Sequence, residues 1–325
     1  MHMISVAMAT YNGEVYLRKQ LDSILHQSLP VDEIIICDDQ SSDGTVDIIQ
    51  EYIKQYPHIH LYKNEQNLGY KRNFKKALSL CSKEYIFLCD QDDIWDSDKV
   101  KEMVAIMNNN PEMEALASSF TFIDEHDQPI SIRKKKGFSN NNLYIKEVRP
   151  NDIVEVKFDE FLNHNYFQGC SLLITSSLRD GFIKRFSTKL PHDWIINLIA
   201  SKHGSMYFYN RSLFGYRIHS KNTIGAKDAN LTTSEHVKVA NEENTRILVC
   251  SDGMKVLETI KEVNPEFYDD NKKRFDAYYQ FDKEHIEAIQ DRKFFRLLKQ
   301  NFNPYYRHLK SKKARCMDLL FVLIH

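Results

Sequence analysis

Apolar runs and polar turns follow one another in a regular order over the first hundred residues. Ile4 to Thr10 is a strand-like run. Asn12-Gly13 turns the chain before Val15 to His26, where Leu17, Leu21, Ile24 and Leu25 recur at helical spacing. Glu33 to Asp38 reads as a second strand and Thr45 to Tyr56 as a helix with Val46, Ile49 and Ile53 on one face. Ile59 to Lys63 is a third strand and Asn73 to Leu80 a short helix. Tyr85 to Cys89 is apolar throughout, as a buried strand would be, and a helix is predicted from about Asp98 to Asn108. Short connections between alternating strands and helices are the pattern of βαβ units, so the fold class is α/β with a mostly parallel sheet flanked by helices.

Beyond Pro111 the pattern loosens. Ala115 to Ile123 is strand-like, but Asp124 to Pro150 is polar, with the basic run Arg133-Lys134-Lys135-Lys136 and the triple Asn140-Asn141-Asn142, and reads as a loop. Cys170 to Thr175 is a strand. A helix starts near Asp193 and runs through Trp194, Ile195, Leu198 and Ile199 to a stop at Gly204, and Ser205 to Ile218 reads as two short strands around Asn210-Arg211. From Ser234 the sequence is charged and helical, with breaks at Pro265 and Pro304, which predicts a separate helical subdomain over residues 231–325.

Composition narrows the function classes. Lys plus Arg (44) balance Asp plus Glu (45), so no global field favours nucleic acid. The six cysteines form no CxxC pair, and Cys37, Cys89 and Cys170 lie in apolar runs, which predicts reduced core thiols and a cytoplasmic protein. The N-terminus passes almost directly into a strand, so no signal peptide is expected, and no run of about 18 apolar residues is present. Lys310 to Arg315 is basic and Leu319 to Ile324 apolar. That pairing suits a contact with a membrane surface, and equally a last helix docking on the body.

The densest chemistry lies where the strand Tyr85 to Cys89 ends in Asp90-Gln91-Asp92-Asp93. Three carboxylates within four residues repel one another unless a cation lies among them, and a hard divalent ion with oxygen ligands meets that need. An EF-hand is excluded because Ile94 occupies the fifth loop position and no glycine follows. A haloacid-dehalogenase-like phosphatase would use Asp90 as nucleophile, but that class opens its domain with the motif, whereas three strands precede it here. A non-catalytic nucleotide- or glycan-binding protein is the other alternative. Asp38-Asp39-Gln40-Ser41-Ser42-Asp43-Gly44-Thr45 also follows a strand and leads into a helix, where Asp43 and Thr45 suit turn and cap roles.

In their order along the chain, these segments resemble family 2 glycosyltransferases with the GT-A fold. The resemblance rests on Ala9 to Gly13, on the DDxSxDGT-like Asp38 to Thr45, on Asn67-Leu68-Gly69 with Lys71 and Arg72, on the DxD of Asp90-Gln91-Asp92, on His192-Asp193-Trp194, and on Tyr216-Arg217-Ile218-His219. It covers Ile4 to Ala226, and the DQDD(I/V)W, HDW and YRxH segments are most similar to a bacterial rhamnosyltransferase group. Gln40 departs from it, standing where family members commonly carry glycine.

The resemblance implies a GT-A domain over residues 1–230, with a nucleotide-binding half to about 110 and an acceptor half from about 111. Its activity would be inverting, metal-dependent transfer of rhamnose or another hexose in bacterial cell-surface polysaccharide synthesis. The donor, dTDP-rhamnose or a UDP-hexose, would be held by Thr10, Tyr11, Asn12, Asp39, Lys71, Arg72, Asp90, Gln91 and Arg217. Asp92, Asp90 and His219 would bind Mg²⁺ or Mn²⁺, Asp193 would be the base, and His192 and Trp194 would meet the acceptor. The acceptor would be a glycan or lipid-linked glycan at the inner face of the membrane. Peripheral contact through the C-terminus and a homodimer are the further expectations.

Overall fold

The computed structural model describes residues 3–131, 146–219 and 242–324. The basic run at 133–136, the asparagines at 140–142, Ser220 to Asn222 and the predicted start of the helical region at Ser234 lie outside the described residues. The chain divides into two compact units. One runs to Phe161 and resumes at Asn165, ending at His219 among the described residues; the other comprises Leu162–His164 and the helices from Glu243 onward.

In the first unit the described residues form nine strands in one sheet. These are β1 (Ile4–Thr10), β2 (Glu33–Asp38), β3 (Ile59–Lys63), β4 (Tyr85–Cys89), β5 (Ile94–Trp95), β6 (Ala115–Ile123), β7 (Ile153–Glu155), β8 (Leu172–Thr175) and β9 (Met206–Arg217). Their spatial order is β3-β2-β1-β4-β8-β6-β9-β5, with β7 beside β9. The half β3-β2-β1-β4 is parallel throughout, joined by α1 (Leu17–Leu25), α2 (Thr45–Gln55) and α3 (Tyr70–Leu80). Beyond β4 the pairing is mixed: β8 runs antiparallel to β4 and β6, and β6 runs parallel to β9. The remaining helices of this unit are α4 (Lys99–Asn109), α5 (Ser176–Lys184) and α6 (His192–Lys202).

Both faces of the parallel half are covered, which is why β1, β2 and β4 carry apolar residues at nearly every position. Val6, Ile36 and Phe87 are fully buried, and each such side chain contributes about 1.5–3 kcal/mol relative to exposure. In register, Thr10 lies opposite Asp38 and Met8 opposite Cys89. The loops after β1, β2 and β4 therefore emerge side by side at one edge of the sheet, where open α/β folds place their ligands.

Three local differences from the sequence reading have physical causes. Helix α3 begins at Tyr70, earlier than predicted, because Gly69 takes φ +74° and starts the turn, while Lys71-Arg72 hides the apolar period. Met206 to Arg217 is one strand, not two. Asn210 stays buried by donating to the carbonyl of Val148 at 2.7 Å, and register shifts opposite β6 absorb the irregularity. Helix α5, absent from the sequence reading, starts at Thr175, whose hydroxyl accepts the Leu178 N–H at 3.2 Å.

The second unit contains α7 (Glu243–Val263), α8 (Pro265–Asp270), α9 (Lys272–Gln290), α10 (Phe294–Gln300), α11 (Pro304–Leu309) and α12 (Lys312–Ile324). Pro265 and Pro304 open α8 and α11, as the predicted breaks require. One core cluster gathers Ala288, Ile289, Leu297, Phe321 and Val322, and another Cys250, Phe281, Tyr306 and Leu309. Within the basic stretch 310–315, Lys310 does not face water. It is buried, 2.7 Å from Asp318, and also donates to the carbonyl of Arg246. All six cysteines are free; five are buried and Cys316 is exposed. No helix among the described residues is long and apolar enough to cross a membrane.

Candidate active site

The loops after β1 and β2 are knitted together by short polar side chains. Asn12, at φ +50°, accepts the Ser42 N–H at 2.8 Å, and its own N–H donates to Ser41 Oγ at 2.9 Å. Thr45 Oγ1 accepts the Gly13 N–H at 2.8 Å. Asp38 takes the Thr10 hydroxyl at 2.9 Å, so Thr10 is an internal tie only 2 % exposed. The phenol of Tyr11, by contrast, is 51 % exposed at this edge.

Asp39 is buried and anchors the segment Asn67-Leu68-Gly69. Its Oδ1 accepts from Asn64 Nδ2 and Leu68 N, both at 2.7 Å, and its Oδ2 from Gly69 N at 2.9 Å. A carboxylate offers about four acceptor positions, so one remains. Asn73 holds Asn64 in place and bonds the carbonyl of Cys37. Of the neighbouring cations, Lys71 reaches the carbonyl of Thr188 at 2.7 Å, and Arg72 is exposed.

The acidic turn after β4 is bound to both sides of the sheet edge. Gln91 forms a reciprocal amide pair with the Tyr11 backbone, accepting its N–H at 2.8 Å and donating to its carbonyl at 3.0 Å. Asp92 Oδ2 lies 2.8 Å from His219 Nε2, whose ring packs 5.1 Å from that of Tyr16. Arg217, fully buried, donates to the carbonyls of Asp92 and Asp124 at 2.7 Å each and pairs with Asp127 at 2.6 Å over the Tyr16 ring. Its guanidinium is engaged by the protein in this conformation.

Electrostatics show how crowded the turn is. Burial, and then the charge of Asp92, push the Asp90 carboxyl up to about 7; burial with Asp92 and Asp90 pushes Asp93 well above the carboxylate range. Part of the answer to this repulsion is internal. Lys99 is fully buried, donates to the carbonyl of Cys170 at 2.8 Å and lies over the rings of Trp95 and Phe214 at 4.3 and 4.2 Å. Burial lowers its pKa to about 8, against the pull of the neighbouring acidic groups. Sequence reasoning missed Lys99 because a lysine at a helix start ordinarily faces water.

Two donor sets arise around the turn. Asp90, Asp93 and Cys170 bring ligand-type atoms within 4.8 Å of one another, but burial raises the Cys170 thiol far above its usual range, and a neutral thiol is a poor partner for a hard ion. Of the expected set Asp90, Asp92 and His219, the structure brings Asp92 and His219 into contact, whereas Asp90 is grouped with Asp93 and Cys170; the donor types, two carboxylates and an imidazole, are those that suit Mg²⁺ or Mn²⁺.

Asp193 lies in the first turn of α6 and is tied through the Gly169 N–H to the segment whose Cys170 lies within 4.8 Å of Asp90 and Asp93. It is 8 % exposed; burial pushes it up to about 6, opposed by the N–H groups of Trp194 (2.8 Å) and Gly169 (3.1 Å) and by Asn165. His192 is buried against Phe74, with ring centroids 4.0 Å apart, and burial with Lys71 nearby drives its pKa down to about 3, so it is neutral. Trp194 turns inward and donates to the carbonyl of Phe161 at 2.8 Å. Gly169 gave no sequence signal beyond a strand-like neighbourhood. Its N–H serves Asp193, and a Cβ there would come within 2.8 Å of His192 Nε2.

Residues 5–182, more than half of the chain, match the profile of Glycosyl transferase family 2. An uncharacterized protein of Mycobacterium tuberculosis is 28 % identical over 67 % of this chain and 59 % of its own length. The putative teichuronic acid biosynthesis glycosyltransferase TuaG of Bacillus subtilis is 38 % identical over 32 % of this chain and 42 % of its own. The chain thus spans about half the length of these curated relatives. The dTDP-rhamnosyl transferase RfbG of Shigella flexneri is 27 % identical over 67 % of this chain and 74 % of its own. Among solved structures, TarS 1–349 of S. aureus with UDP-GlcNAc aligns at TM-score 0.57 and 14 % identity, covering 98 % of this chain and 89 % of that one.

Proposed function

Since the chain belongs to glycosyl transferase family 2, and is therefore a glycosyltransferase with a GT-A-like fold, we propose that it catalyses inverting, metal-dependent transfer of rhamnose or another hexose from a nucleoside diphosphate sugar to an acceptor hydroxyl. The names of its relatives favour cell-surface polysaccharide synthesis, with dTDP-rhamnose or a UDP-hexose as donor and a glycan or lipid-linked glycan as acceptor.

The observation that carries this reading is that Gly169, whose N–H holds the Asp193 carboxylate at 3.1 Å, directly precedes Cys170, whose thiol lies within 4.8 Å of Asp90 and Asp93 in the acidic turn. In the proposed reaction Asp193 takes the proton of the acceptor hydroxyl as its oxygen bonds to the anomeric carbon. The bond from that carbon to the diphosphate oxygen breaks with its electron pair on the leaving oxygen, and the anomeric configuration inverts. Gly169 and Trp194 hold the Asp193 carboxylate in place through their N–H groups. Tyr11 offers its exposed ring to the nucleobase, Asp39 its remaining acceptor position, and Arg72 its exposed charge. Asp90, Asp92 and His219 would hold Mg²⁺ or Mn²⁺, and such an ion would supply positive charge against the diphosphate leaving group.

The test is Asp193→Asn. Sugar transfer should fall by about 10²–10⁴-fold, while sugar-nucleotide binding, followed by thermal shift with and without Mn²⁺, persists. A variant that keeps near-normal turnover would overturn the assignment of the base.

A further inference from the structure

The helical unit carries an unusual surface. Of the twelve exposed large apolar side chains among the described residues, six lie in its last two stretches: Phe295, Leu298 and Phe302 on and just beyond α10, and Leu320, Leu323 and Ile324 on α12. Phe295 and Leu298 are spaced i, i+3 on α10, with Phe302 in the turn that follows it, and Leu320, Leu323 and Ile324 are spaced i, i+3 and i+4 along one side of α12. The opposite sides are already in use, since Leu297 of α10 and Phe321 and Val322 of α12 meet in one core cluster. Helix α12 ends in six successive apolar residues, Leu319 to Ile324, more than its docking on the unit consumes.

Charge says what covers this face. From Lys293 to Ile324 the chain holds eight lysines and arginines against one acidic residue, Asp318, but Lys293 pairs with Asp291, Arg296 with Glu284 and Glu287, and Lys310 with Asp318. Asp318 is buried against Lys310 and does not moderate the surface. Lys299, Lys312 and Lys313 are exposed and have no acidic partner among the described residues. A second copy would set Lys299, Lys312 and Lys313 against like charge, which does not favour it. An anionic bilayer supplies both the counter-charge and an apolar layer shallow enough for the tips of six side chains. No described helix is long and apolar enough to span it.

We propose that this helical unit binds the surface of anionic lipid bilayers through the outward sides of α10 and α12, with Phe295, Phe302 and Leu323 inserting and Lys299, Lys312 and Lys313 meeting the headgroups. The inference rests on exposure and charge alone and stands apart from the glycosyl-transfer reading.

The experiment is co-sedimentation of the full chain with phosphatidylcholine vesicles, with and without phosphatidylglycerol, over a range of salt. Binding is expected only with phosphatidylglycerol and weakens as salt rises. The triple variant Lys299→Glu, Lys312→Glu, Lys313→Glu should bind at least about tenfold less, and Phe295→Ser with Leu323→Ser should also bind less. Unchanged sugar-nucleotide binding and far-UV circular dichroism check that both variants remain folded. Equal binding to neutral and anionic vesicles, or no loss in the triple variant, overturns the proposal. So does a wild-type chain that ignores vesicles but self-associates in sedimentation velocity, because the face then serves a second copy.

Discussion

Asp92 and His219 meet side chain to side chain at 2.8 Å, although one follows β4 and the other lies just beyond β9. If the pair is a preassembled half of a metal site, His219→Ala and Asp92→Asn should each weaken Mn²⁺ binding by about tenfold or more, read by calorimetry or by the thermal shift that Mn²⁺ produces. The double variant should lose little beyond the worse single one, because the two groups act together. Additive losses would mean that they bind separately.

Asp193 has to be ionised to accept a proton, and burial sets its pKa at about 6. The pH profile of kcat/KM should therefore be level above about pH 7 and fall about tenfold per unit well below pH 6. Stability should respond in the opposite sense. The folded carboxyl keeps its proton to higher pH than the unfolded one, so its contribution is fully present below about pH 4 and is lost as pH rises to about 6. Relative to Asp193→Ala, the wild type should lose about 2 kcal/mol between pH 4 and 7, measured by urea denaturation.

Lys99 is the internal cation of the acidic turn. Lys99→Met leaves Asp90 and Asp93 without it and should destabilise the protein by about 3 kcal/mol. Lys99→Arg should rescue only in part, since a larger guanidinium must replace an ammonium that is fully buried over the rings of Trp95 and Phe214. An unchanged midpoint in denaturant for Lys99→Met would show that the carboxylates are compensated elsewhere.

Gln40 occupies a left-handed backbone position, φ +66°, and its side chain donates to the carbonyl of Glu65 at 2.5 Å. A left-handed position favours glycine, and the side-chain hydrogen bond is how glutamine is tolerated here. Gln40→Gly should change stability by no more than about 0.5 kcal/mol, as relief of about 1 kcal/mol of backbone cost offsets the lost hydrogen bond. Gln40→Val loses the bond and keeps the cost, and should be destabilised by about 1–2 kcal/mol in the same denaturation assay.

Much of this molecule is legible in its sequence for a simple reason. β1, β2 and β4 are buried on both faces, so Ile34-Ile35-Ile36 and Ile86-Phe87-Leu88 announce themselves, and the loops that follow each strand must share one edge. What escaped the sequence depends on groups brought together only by folding. Arg217 reads as a cleft cation until Asp124 and Asp127 arrive from another loop to bury it. Lys310 reads as surface until Asp318 folds back upon it. Burial of a charge depends on partners, and sequence neighbours do not disclose them.

The Gln91–Tyr11 amide pair crosses the edge of the sheet like the rung of a ladder, fixing the acidic turn to the loop that presents the exposed ring. Neither wall can shift without carrying the other. A ligand gripping Tyr11 would restrain the carboxylates in the same stroke, and a cation settling among the carboxylates would steady the ring. The two affinities should therefore rise together, and Gln91→Ala is the change that would let them drift apart.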